Sequence, residues 1–210
     1  MKALILLAGP LSPTPRLLRE AEEAELVVAA DGGIRHAEAL GRLPDLWVGD
    51  FDSSSPALLA RYSDLQRERH PRDKDATDAE LAARAAIRRG ARALLFAGAL
   101  GGEPDHVLAH YALSLGLAGE GLEVALTDGR HWAWPLVPPG RRVALPPGTP
   151  FSLIPLAPLE GLTLTGARWT LAGAHLPLGS TRATRNEAAG PVEVSLRRGQ
   201  GVLIARPEVS

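Results

Sequence analysis

The sequence predicts an α/β fold: a Rossmann-like parallel sheet with helices on both faces over residues 1–132, then a small all-β sandwich or barrel over 133–210. Three observations predict it. Up to about Asp128, short apolar runs alternate with Ala/Leu/Arg-rich amphipathic stretches, the sequence form of repeated βαβ units. From about Pro135, the stretch WPLVPPGRRVALPPGTPFSLIPLAP is crowded with prolines, which rule out long helices and central strands. Beyond it, short alternating runs separated by glycine turns read as strands of a second domain.

Taken in order, KALILLAG, ELVVAA, LWVG, ALLFAG and LEVALT are apolar enough to be strands buried on both faces, and LQRERH is a short, more polar strand. SSSPALLARY opens a helix with Pro56 near its first turn, and Asp52 or Ser53 suits its cap. Thr77 and Glu80 fit the capping-box pattern, so a helix is expected from Asp78 through ELAARAAIRR, stopping at Gly90. GALGGEPDH leads into the helix VLAHYALSL. In the second half, GLTLTGARWTL, LPLGSTRATRN and VEVSLRRGQGVLIAR carry strand-like alternation.

Composition narrows the function classes. With 210 residues, 45% of them hydrophobic, and a formal charge of -1, the chain can bury a real core and lacks the basic surface of a nucleic-acid binder. No run approaches the roughly 18 apolar residues of a membrane span. MKALILLAGP is too short for a signal peptide, so a cytoplasmic protein is expected. The absence of cysteine excludes disulfides, thiolate nucleophiles and Cys-ligated zinc; a metal here needs oxygen or imidazole ligands.

In an open α/β sheet, ligands bind beyond the carboxyl ends of the strands. Asp31, with Gly32 and Gly33, follows ELVVAA; Asp50 and Asp52 in GDFDS follow LWV; Asp73, Asp75 and Asp78 follow LQRERH. Asp105 and His106 follow ALLFAG, and Asp128 follows LEVALT. Each aspartate alone suits a turn or a helix cap, but their convergence on one edge suggests a site. In an extended segment, Asp50 and Asp52 point the same way and repel unless a hard cation such as Mg²⁺ binds both; a helix-capping role is compatible with this. Lys74 stands among these acids and is one of only two lysines, the other being Lys2. It is either a solvated loop charge or a compact cation suited to phosphate. Gly98, Gly101 and Gly102 let backbone N–H groups approach an anion at a helix N-terminus. Neither a P-loop nor a GxGxxG dinucleotide fingerprint is present.

The ordered set ADGG (30–33), PDLWVGDFDS (44–53), KDATDAELA (74–82), GALGGEPDH (98–106), TGARWTL (165–171) and TRNE (184–187) resembles the thiamine pyrophosphokinase (thiamine diphosphokinase) family over nearly the whole chain. The resemblance implies transfer of a diphosphate from ATP to the hydroxyl of thiamine, giving AMP and thiamine diphosphate, with Mg²⁺, in a homodimer. It implies that Asp50, Asp52 and Asp78 are the metal carboxylates, with Asp31 nearby. Asp31, Gly32, Gly49, Lys74, Thr77, Gly101, Gly102 and Asp105 are then expected to line the ATP pocket, and Lys74 to join the three metal aspartates in catalysis, with His106 or a site carboxylate accepting the hydroxyl proton. In the β domain, Trp169 is expected to stack on thiamine with Thr184 and Asn186 as polar neighbours, serving the partner subunit's nucleotide pocket. For these three, the residues alone favour a core tryptophan on a β strand and a polar turn. The sequence departs from the family pattern at Glu103 and Pro104, where an arginine is usual, and at Arg185, where a serine is usual. Two rival functions share the acidic cluster: a diphosphokinase for another alcohol such as a hydroxymethyl-pterin, and a non-catalytic Mg-ATP-binding module.

Overall fold

A computed structural model describes residues 1–52, 55–70 and 76–207; Ser53, Asp73, Lys74 and Asp75 lie outside the described residues. The chain divides into two compact units, one of residues 1–110 with 126–129 and the other of residues 111–125 with 130–210.

The first unit is built on parallel strands β1 (Lys2–Leu6), β2 (Leu26–Ala30), β3 (Leu46–Gly49), β4 (Arg67–Arg69) and β5 (Ala93–Ala97), in the order β5-β1-β2-β3-β4. β1 lies inside the sheet, between β5 and β2, with Leu4 opposite both Val27 and Leu95, and Ala3 to Leu6 are fully buried. That two-faced burial is why these segments read as unbroken apolar runs. Helices α1 (Pro15–Glu22), α2 (Pro56–Arg61) and α3 (Asp78–Arg88) all begin on a hydroxyl cap: Thr14, Ser55 and Thr77 accept from Leu17, Leu58 and Glu80 N–H. Proline occupies the first turn of α1 and α2, where its missing N–H is not needed. α3 buries Ala79, Ala82, Ala83, Ala85 and Ala86 and lies against β1, β2 and β3. Small side chains on that face let the helix sit close to the sheet. Glu68 of β4 pairs with Arg88 (2.6 Å) and with His70 (3.0 Å), joining β4 to the end of α3. Burial pushes the Glu68 carboxyl up, but the bonds from His70 and Arg88 outweigh it and hold the group below its usual range.

Two details differ from the expectations. The cap of α2 is Ser55 rather than Asp52 or Ser53. Thr77 caps α3 as expected, but Glu80 lies 4.0 Å from Arg84. The stretch after β2, where the sequence places Asp31 with Gly32 and Gly33 at a strand end, is a 3-10 helix (Asp31–His36).

Helix α4 (Pro104–Gly119) and strand β6 (Glu123–Thr127) contain the points where the chain passes between the units. The second unit comprises β7 (Trp132–Leu136), β8 (Gly140–Val143), β9 (Pro150–Pro155), β10 (Leu159–Ala167), β11 (Leu171–Leu176), β12 (Asn186–Ser195) and β13 (Gly201–Ala205). All are antiparallel, in the order β7-β13-β9-β12-β10-β11, with β8 also on β12. β12 turns the corner between two sheets: Asn186 and Glu187 pair with β9, and Val192 to Ser195 pair with β8. Its middle holds Gly190 and Pro191, and Gly166 of β10 (φ 69°) comes so close to Pro191 O that no side chain fits there. The prolines do not exclude strands as expected. β7 is a buried strand despite Pro135, which stands opposite Val202 of β13. Conversely, residues 177–185 of LPLGSTRATRN form turns. Among the described residues, no helix is long and apolar enough to cross a membrane.

Candidate active site

Because the first unit's strands are parallel, the loops after β1, β2, β3 and β5 leave from one edge. Two of these loops touch backbone to backbone. A side chain on Gly9 would run into the carbonyl of Gly98, and one on Gly98 (φ 80°) would stand 2.5 Å from Leu7 O. Only glycine tolerates both the left-handed backbone and that approach. Gly101 and Gly102 (φ 85° and 84°) continue the loop beside Pro10.

A cavity of about 660 Å³ opens at this edge. It is lined by Asp31, Thr77, Asp78, Gly101, Gly102 and His106, all expected at the site. It is also lined by Gly9, Pro10, Arg35, Glu103 and His110, to which no role was attached. The charged lining is acidic, with Asp31, Asp78 and Glu103 against Arg35. Arg35 is exposed, and its place in the 3-10 helix after Asp31 could not be read from periodicity. Two half-buried histidines tie down the loops: His36 Nε2 hydrogen-bonds Gly9 O (2.9 Å) and His110 Nδ1 hydrogen-bonds Ala99 O (2.8 Å). Burial holds both imidazoles below their ordinary value of 6.5; the carbonyl bonds oppose it, and neighbouring Arg35 and His106 reinforce it. His106 is exposed, with its ring 6.4 Å from that of His110.

The remaining expected residues are placed around the cavity rather than among its lining. Gly49 ends β3 against Asp31: a Cβ there would be 3.2 Å from both Asp31 Cα and Oδ1. Gly32 faces Ala8, in the loop after β1, with only 3.4 Å between an added Cβ and the Ala8 methyl. Asp105, in the first turn of α4, accepts from His106 N–H (2.9 Å). The segment of Asp50 and Asp52 is not extended as expected. Phe51 has φ 64°, and Asp50 Oδ1 accepts from Asp52 N–H (2.9 Å), closing an Asx turn. The turn sets Phe51 edge-on against buried Trp47 (4.8 Å), four residues earlier, a packing that an alternating pattern does not signal. Lys74 lies outside the described residues.

The available donors are carboxylate oxygens, and the chain has no thiolate, which suits a hard cation such as Mg²⁺. Among the described residues, no group of three or more His, Asp or Glu is arranged to hold a metal ion.

In the second unit, Trp169 is 55% exposed, with the Arg168 guanidinium 4.9 Å from its ring centroid. Asn186 is buried, and both the oxygen and the nitrogen of its amide are hydrogen-bonded. Its Oδ1 accepts from Trp169 N–H (3.2 Å) and Glu187 N–H (2.8 Å), and its Nδ2 donates to Trp169 O (2.8 Å). It therefore fixes the backbone that presents Trp169. Thr184 donates to Thr181 O (2.7 Å), and the neighbouring Arg185 (φ 54°) is exposed.

Comparison with known proteins agrees with the resemblance. Residues 17–126 match the model of the thiamin pyrophosphokinase catalytic domain, and residues 142–200 match that of its vitamin B1 binding domain. The thiamine pyrophosphokinase of Bacillus subtilis (strain 168) is 28% identical over 193 residues, covering 89% of this chain and 90% of that one. The solved thiamin pyrophosphokinase of Geobacillus thermodenitrificans superposes with a TM-score of 0.83 at 28% identity, covering 100% of this chain and 99% of that one. The fold extends to the Candida albicans enzyme, at a TM-score of 0.81, 15% identity and 99% and 90% coverage. The chain therefore belongs to the thiamin pyrophosphokinase family and is a diphosphotransferase enzyme.

Proposed function

We propose that this protein transfers a diphosphate from ATP to the hydroxyl of thiamine, releasing AMP and thiamine diphosphate, as a Mg²⁺-dependent cytoplasmic homodimer. The observation that carries the reading is the acidic cavity at the carboxyl edge of the parallel strands, where Asp31, Thr77, Asp78, Gly101, Gly102 and His106 meet. Mg²⁺ supplies charge neutralisation at the phosphates. Asp50, Asp52 and Asp78 are its proposed protein ligands; Mg²⁺ commonly takes one or two carboxylates plus water and phosphate oxygens, so no preformed three-ligand cage is required.

The chain's own residues do the rest by positioning and electrostatics, which dominate phosphoryl transfer. The N–H groups of Gly101 and Gly102 and the first turn of α3, capped by Thr77, face the polyphosphate. Arg35 offsets the acidic lining where Glu103 replaces the usual arginine, and Lys74 is the proposed phosphate contact. Gly32, Gly49 and Asp105 shape the loops around the nucleotide. His106, exposed at the cavity, or one of the site carboxylates takes the hydroxyl proton. Trp169 offers the ring face not covered by Arg168 to the acceptor, with Thr184 beside it and Asn186 fixing its backbone. In the homodimer, these three residues of one subunit serve the nucleotide cavity of the other.

Mass spectrometry of products formed from ATP, Mg²⁺ and either thiamine or a hydroxymethyl-pterin tests the acceptor. Thiamine diphosphate alone is expected; pterin diphosphate, or no product with either alcohol, overturns the proposal.

A further inference from the structure

We infer that Trp47 is a positioning residue for the acidic edge of the cavity, with one indole ring holding both the Asp31 turn and the Asp50–Asp52 turn. The inference rests on the proposed function only in assigning those aspartates to the metal-nucleotide; the positioning itself is geometric. Trp47 is fully buried in β3, away from any reacting group. Its Nε1–H donates to Asp31 O at 2.9 Å, and the Phe51 ring meets it edge-on at 4.8 Å and 82°. Asp31 and Phe51 are two of only three non-glycine residues with positive φ among the described residues, at 41° and 64°. Left-handed backbone at such residues is unfavourable and persists only where surrounding structure over-determines it. Trp47 provides that constraint at both turns.

The ring is itself fixed. The Arg67 guanidinium lies 5.4 Å from its centroid while donating to Leu59 O (2.7 Å) and Tyr62 O (3.0 Å). The Tyr62 ring packs edge-on at 6.2 Å. The indole therefore cannot turn without moving β4 or the end of α2. A phenylalanine would fill most of the space but could not hold the Asp31 carbonyl, so the nitrogen rather than the bulk makes Trp47 specific to this site.

The test compares W47F, and a variant carrying isosteric benzothienyl-alanine at 47 that removes only the N–H, with L17V, which loses buried volume on α1 far along the chain. Amide exchange at Gly32 and Asp52 and Mn²⁺ affinity by electron paramagnetic resonance are measured alongside thermal midpoints. Both Trp47 variants should exchange these amides and release Mn²⁺ about fivefold more readily, the equivalent of one modest hydrogen bond, and L17V should do neither at a comparable loss of stability. Exchange and Mn²⁺ affinity that match L17V would overturn the inference. If D50N and D52N leave Mn²⁺ affinity unchanged, the metal assignment fails, and the exchange measurement alone decides the role of Trp47.

Discussion

Replacing Gly49 with alanine should separate activity from stability, because Gly49 ends β3 where Asp31 begins its turn. Its φ is not left-handed, so alanine introduces no backbone strain, and by restricting the unfolded chain it stabilises by roughly 0.4–1 kcal/mol. Against this, the new methyl would lie 3.2 Å from Asp31 Cα and Oδ1 and 3.3 Å from its Cβ. Carbon contacts are favourable near 3.5–4.0 Å, so Asp31 must retreat by a few tenths of an ångström, and overpacking of this kind costs about 1–3 kcal/mol. The net loss is about 0–2.6 kcal/mol, a fall in Tm of up to about 10 °C for a chain of this size. Asp31 cannot relax freely, since Trp47 holds its carbonyl, so the displacement falls on the carboxylate. A misplacement of about 1 Å can cost a hundredfold in rate, and a few tenths should cost about tenfold. Scanning fluorimetry and a steady-state assay of AMP release, with G116A as control, measure both quantities. Gly116 has open space where its Cβ would go, so alanine should stabilise α4 by about 0.5–1 kcal/mol and leave turnover unchanged. Turnover of G49A within twofold of the parent would refute the placement of Asp31 in the reacting site.

Three further outcomes are expected. T77A removes the cap of α3 and should lower stability by about 1 kcal/mol, as read by urea unfolding, with T77S restoring it. W169A should raise KM for thiamine at least about tenfold while leaving ATP affinity by calorimetry unchanged, because the ring is 55% exposed and its loss opens no core cavity. Burial holds His36 and His110 below 6.5 in the folded protein, so at lower pH the unfolded chain takes up protons that the native state does not. Stability should be intact above about pH 7 and decline as pH falls below 6.5; in urea titrations from pH 7.5 to 5, H36Q/H110Q should flatten that decline.

What was legible in the sequence followed from local chemistry. β1, β2, β3 and β5 are buried on both faces and therefore appear as apolar runs, and the threonine before Asp78 announces the start of α3. The placement of aspartates at strand ends pointed to the edge where the cavity lies. What the sequence hid depends on how side chains pack and on which loops the fold brings together. The Asp50–Asp52 turn sets Phe51 on Trp47, and local propensity gives no reason for phenylalanine at φ 64°. Pro135 marks a break by its chemistry, yet β7 accommodates it in register with β13. Arg35, His36 and His110 carry no periodic signal and join the site only once the loops after β1, β2 and β5 are folded together. Asn186 looks like a ligand-binding amide, but all three of its hydrogen bonds are made to its own unit's backbone.

The central claim, diphosphate transfer from ATP to thiamine at this cavity, is tested most directly by quantifying nucleotide and thiamine products together in one reaction with Mg²⁺. The account predicts AMP and thiamine diphosphate in equal amounts, formed only when thiamine is added, abolished by EDTA and reduced by two or more orders of magnitude in D52N. ADP with thiamine monophosphate, or AMP released without thiamine, would contradict it.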